Sequence, residues 1–145
     1  MAVETNLFDG GFPSREGQDL IERFMVAHNA VEHYLRDELL PTLTAHHAFQ
    51  LRVSCNALDL VARQIAQEPA ADAAEVERLT KLLGHGGALA DLNAELAMKI
   101  ADGAMTLETP GLSDHLWATT LAKLAVDQPQ YGAYRREAGR GTPQC

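Results

Sequence analysis

Between Leu112 and Tyr131 the chain reads LSDHLWATTLAKLAVDQPQY, and on a helix Thr120, Lys123 and Asp127 share one side with Leu112, Leu116 and Leu124. Burying an unpaired charge is expensive, so polar groups on such a stripe either meet partners or line a pocket. Other helical segments carry similar interruptions. Asn56 lies on an apolar stripe with Arg52 and Arg63 at its edge, Asn93 sits between Leu89 and Ile100, and His28 projects within the stripe of the first helix. In a structural reading, Lys123 and Asp127 pair across one turn while Asn56 and Asn93 fix helix register. In a site reading, Arg52 and Lys123 clamp an anion and Asp127 orients Lys123, since convergent polar groups in a bundle core are also how ligand sites are built.

Other chemistries find less support. Arg23 and His28 match the arginine and histidine spacing of helical RNases from toxin systems, a short pattern that chance produces often. His46 and His47 are adjacent and point about 100° apart on a helix. With His33, His85 and His115 they are expected at the surface. Neither Glu-x-x-His nor His-x-x-x-His occurs, so no di-iron or zinc bundle is expected, and no cofactor. Ser54, Thr119 and Thr120 lack a histidine at helical spacing to activate them. The GHGG run at 84–87 lacks the preceding strand of a phosphate-binding loop.

Glycine and proline divide the positions around these residues into five predicted helices. The first runs from about Arg15 to Leu40, with Ser14 as cap and Pro41 beyond its end. The second follows Thr44 and ends near Gln67, ahead of Pro69. The third covers Asp72 to Leu83 and closes on Gly84, and the fourth covers Leu89 to Asp102 and closes on Gly103. The fifth begins after Pro110 and Gly111, capped by Ser113, and stops before Pro129. Apolar stripes recur at helical spacing: Leu20, Phe24, Ala27, Val31 and Leu35, then Phe49, Val53, Ala57, Leu60 and Val61. Val76, Leu79 and Leu83 follow, and then Leu89, Leu92, Leu96 and Ile100. Short connections between such helices predict an all-α antiparallel bundle of four to five helices over residues 14–131. Residues 1–13 are expected as a disordered arm and 132–145, with Arg135, Arg136 and Arg140, as a flexible tail.

Composition agrees with that architecture. Ala and Leu supply 43 of 145 residues and Val and Ile only ten, which favours helix over strand. A net charge of −8 argues against nucleic-acid or anionic membrane partners. No apolar run reaches the roughly 20 residues that span a bilayer, and the N-terminal stretch lacks a basic region followed by an apolar one, so a cytoplasmic protein is expected. Cys55 reads as a small packed hydrophobe and Cys145 as a free thiol.

The segments AFQLRVSCNALDLVARQI, LLGHGGALADLNAELAMKI and HLWATTLAKLAVDQPQY together resemble a family of small bacterial all-helical domains of unknown function. The resemblance covers Leu39 to Tyr131. Its strongest marks are Arg52, Asn56, Arg63, Asn93, Thr120, Lys123, Asp127, Pro129 and Tyr131, the residues that interrupt the stripes or follow them. Gln64 and Gln128 stand where the family tends to have an acidic residue and an asparagine. Members occur beside or joined to aminoglycoside-phosphotransferase-like kinases and acyl-CoA dehydrogenases. The resemblance therefore implies an accessory module acting with one of those enzymes, by protein or metabolite contact. The competing expectation is a binder of a small anionic or acyl metabolite, or an enzyme, using Arg52, Asn56, Lys123 and Asp127.

Overall fold

The computed structural model describes residues 8–9, 12–13 and 15–140. It is built almost wholly of helix: α1 Arg15–His33, α2 Ala45–Leu83, α3 Leu89–Ala101, α4 Leu112–Asp127 and α5 Gly132–Arg140. The rest of the expected arm, Ser14, and the last residues of the expected tail with Cys145 lie outside the described residues. Two residues on each side, Phe8–Asp9 and Phe12–Pro13, form one short antiparallel ladder.

The first helix does not simply stop at Pro41. After α1 the backbone widens into a π-helical turn, Tyr34–Leu39, in which the N–H of Leu40 reaches the carbonyl of Leu35, and then tightens into a 3-10 turn, Leu40–Thr42. Pro41 has no N–H to continue the regular ladder, and such irregular turns are how a helix end absorbs the loss. The widened turn carries Arg36.

Pro69 corrects the predicted break between the second and third helices, because α2 runs through it for 39 residues. A proline inside a helix removes one backbone bond, but Ala70, Ala71, Ala73 and Ala74 are the strongest helix formers and carry the helix onward. It ends where expected. Gly84 takes a φ of +83°, the left-handed conformation that closes a helix, and its N–H bonds the carbonyl of Thr80. At α4 the cap is Gly111 and not Ser113, which falls in the first turn. The expected tail also differs, since Gly132 to Arg140 forms α5, beginning where the Arg135 N–H bonds the carbonyl of Tyr131.

The chain divides into two compact units, 1–69 and 70–145. In the first, the buried residues of α2 are Ala48, Cys55 and Ala62, spaced by seven. The predicted stripe is on the other side: Phe49, Val53, Leu60 and Val61 are exposed. Cys55 is the packed hydrophobe expected. In the second unit Leu79, Leu92, Leu96 and Leu112 form the core, with Val76, Leu82, Leu83, Leu89 and Met105 against it. No helix among the described residues is long and apolar enough to cross a membrane.

Candidate functional site

The polar set that the sequence places on the core side of the last long helix faces outward. On α4 the buried residues are Leu112, His115 and Val126, and Thr119 and Ala122 between them are half-buried. These positions step by three and four and make one continuous side. Thr120, Lys123 and Asp127 are exposed, and the Thr120 hydroxyl donates to the Leu116 carbonyl of its own helix at 2.8 Å. No ion pair joins Lys123 to Asp127 among the described residues. Leu112 belongs to both candidate stripes, so it could not arbitrate between them. The narrower side chains of Thr119 and Ala122 went inward.

What remains outside is unusual for its apolar content. Trp117 is 54% exposed, Leu107 75% and Leu116 39%. With Ser113, Asp114 and Thr120 they line an open groove of about 410 Å³. Lys123 and Asp127 continue the same side of α4 toward its C-terminus. Because both charges are already solvated, Lys123→Met and Asp127→Asn are each expected to shift stability by no more than about 0.5 kcal/mol, as read from urea melts.

Beneath α4 lies a polar cluster that includes Asn93. The Asn93 side-chain amide donates to Glu75 at 2.8 Å and the Arg78 guanidinium donates to the Thr119 hydroxyl at 3.3 Å. His115 is only 3% exposed, which corrects its expected place at the surface. It lies three residues after Leu112 and so shares the buried side. Burial and the neighbouring Arg78 cation push its pKa below the ordinary histidine value, while Glu75 pulls it up more weakly. Arg78 Nε and His115 Nδ1 are buried without a hydrogen-bond partner.

This has a consequence for pH. In the folded chain His115 takes up its proton at a lower pH than in the unfolded chain, where the ordinary value is about 6.5. Stability is therefore unaffected above that pH, falls as the pH drops through it, and levels off below the depressed folded value. Thermal melts between pH 7.5 and 5 are expected to show this loss, and His115→Leu to flatten that part of the profile.

The first unit has its own cluster, in which Asn56 is the predicted member. Arg36, on the π-helical turn, donates to Asn56 at 3.3 Å and pairs with Asp59 on α2 and with Glu32 on α1. Partial desolvation lowers the Arg36 pKa, but the two carboxylates outweigh it and raise the pKa above its ordinary value. His28 Nε2 lies 3.5 Å from Asp59, and the side chain is 10% exposed. Arg23 is exposed and five residues from His28, about 140° around the helix, so the nuclease-like pair does not converge within the chain.

The predicted residues therefore divide. Arg52, Asn56 and Arg63 belong to the first unit, with Arg52 exposed and Arg63 half-buried; Asn93, Thr120, Lys123, Asp127 and Tyr131 belong to the second. Glu32, Arg36, Asp59, Glu75, Arg78 and His115 were missed as cluster members. His28, Glu32 and Arg36, spaced by four, were the available signal in helix one. No group of three or more His, Cys, Asp or Glu among the described residues could hold a metal ion.

Fold and surface together define an almost wholly helical chain with partly paired polar clusters and an open groove on α4. Residues 41–131, more than half the chain, match the family described as Domain of unknown function (DUF6285), and the chain belongs to it. The match takes in α2, α3 and α4. No curated protein and no solved structure matches the chain.

Proposed function

We propose that the protein is an accessory module that acts with a phosphotransferase-like kinase or an acyl-CoA dehydrogenase, and that the outer face of α4 is its contact surface. The observation that supports this reading is the exposure of Leu107, Leu116 and Trp117 beside Lys123 and Asp127. An aromatic and two leucines left open together, with charges at the rim, have the composition of a protein contact: apolar centre, tryptophan anchor, polar edge. The polar clusters join helices to one another, as Arg36–Asp59 and Asn93–Glu75 do, which suits a scaffold better than a reacting centre.

The groove favours a second reading. At about 410 Å³ it falls within the range of ligand sites, and its leucines and Trp117 could hold an acyl chain while Lys123 meets an anionic head. Gel filtration of the chain with each enzyme class at micromolar concentration tests the first reading, which expects a stable complex. A thermal-shift series with acyl-CoAs tests the second. Ligand at 100 times its dissociation constant stabilises by about 2.7 kcal/mol. Separate elution of both proteins, with no change in the enzyme's kinetics, would remove the accessory role.

A further inference from the structure

We infer that the first unit pairs with a second copy of this chain, antiparallel along the exposed side of α2, with Ala57 on the two-fold axis. The inward side of α2 is spoken for by its small-residue seam, Ala48, Cys55 and Ala62, and by Asp59, which holds Arg36. The opposite side is exposed from His46 to Val61 and again at Glu68, with Gln64 and Ile65 half-buried. Phe49 is 60% exposed, Val53 49% and Val61 47%, and Ala57 between them is exposed as well. Large apolar side chains at helical spacing on an open helix face mark an interaction surface.

The register of this face identifies its occupant. At 100° per residue, His46, Gln50, Val53, Ala57, Val61, Gln64 and Glu68 all lie within about 40° of the direction of Ala57. Their steps of four, three and four on one side of Ala57 are repeated in mirror order on the other. Turned end for end, the stripe therefore meets itself. Val53 faces the partner's Val61, Gln50 faces the partner's Gln64, and Phe49 on the shoulder faces the partner's Ile65. Ala57 meets its own copy, where a methyl group allows the two backbones to approach. Self-complementarity of this kind is what an isologous two-fold contact requires.

Charge selects the direction. The stripe ends on His46 and Glu68, both exposed, and Glu68 is its one carboxylate. Antiparallel pairing sets each His46 against the partner's Glu68, whereas parallel pairing would set glutamate on glutamate. Arg52, Asp59 and Arg63 lie 120° or more away from Ala57 and bring no like charges together. Across 23 residues the contact runs about 33 Å along the helix.

Sedimentation equilibrium of the full chain at about 100 µM, where an interface of micromolar affinity is filled, is expected to give a dimer. Ala57→Glu places two carboxylates on the axis and is expected to weaken association by at least about 100-fold, with circular dichroism unchanged because Ala57 is exposed and glutamate is a good helix former. In a Cys145→Ser background, Ala57→Cys is expected to oxidise to a disulfide-linked dimer. Ser54→Cys is not, since the two copies stand about 9 Å apart along the axis, beyond disulfide reach. A monomer at that concentration overturns the inference. A dimer indifferent to Ala57→Glu, or one that crosslinks as readily through Ser54→Cys, does so too.

Discussion

Leu79→Ala is expected to lower stability by about 3 to 4 kcal/mol, enough to remove a large share of what holds a small domain folded. Leu79 is fully buried among Leu92, Leu96 and Leu112, so it joins α2 to both α3 and α4. Truncation deletes the transfer free energy of three carbons and leaves a cavity that three separate helices would have to move to fill. Relaxation on that scale would disturb the Asn93–Glu75 and Arg78–Thr119 bonds, which bridge the same helices. Urea denaturation should show the midpoint falling with the slope unchanged. A loss below about 1 kcal/mol would mean that the second unit is not held by this cluster.

On the proposed accessory role, Trp117→Ala is expected to weaken binding of the kinase or dehydrogenase by about 30-fold or more while leaving the melting temperature almost unchanged. Buried tryptophan anchors cost 2 kcal/mol or more when truncated at protein interfaces, and about 1.4 kcal/mol is a factor of ten. The free chain gains little from this side chain, because more than half of it faces solvent. Leu116→Ser should act in the same direction and more weakly. Isothermal titration of wild type and both variants checks the order of effects. Equal affinities would place the contact elsewhere.

Helix ends were legible where glycine or proline acts alone. Gly84 and Gly103 adopt positive φ as their positions after apolar runs suggest, and α4 stops two residues before Pro129. Pro69 misled because four alanines after it outweigh one missing hydrogen bond. The sides of α2 and α4 were misread for a shared reason. A hydrophobic stripe chosen by size selects Phe49, Val53 and Val61, or Leu116, whereas the sides turned inward carry the small Ala48, Cys55 and Ala62, or Leu112, His115 and Val126 with the half-buried Thr119 and Ala122 between them. Where residues are large enough to fill a wider gap, as Leu79, Leu92 and Leu96 do, the stripe and the core coincide.

Polar partners were illegible for a different reason. Periodicity within one helix shows that Asn93 or Asn56 interrupts a stripe, but it holds no information about the helix opposite. Glu75 and Asp59, which answer them or their neighbours, look like ordinary surface carboxylates in their own segments. His115 was assigned to the surface because histidine is commonly found there, although its spacing from Leu112 placed it on the buried side. Arg36 reaches α2 from a π-helical turn, whose wider winding shifts side-chain directions away from the regular 100° step.

Trp117 is the single tryptophan of the chain, so one labelled site reports on the α4 face directly. With 5-fluorotryptophan incorporated, the chain should give one fluorine resonance from an exposed indole. Titration with the phosphotransferase-like kinase or the acyl-CoA dehydrogenase is predicted to shift and broaden that resonance in proportion to complex formed, and to protect it from a soluble paramagnetic agent. A complex that forms with the resonance unmoved would contradict the assignment of this face, and the absence of any complex with either enzyme class would contradict the accessory role itself.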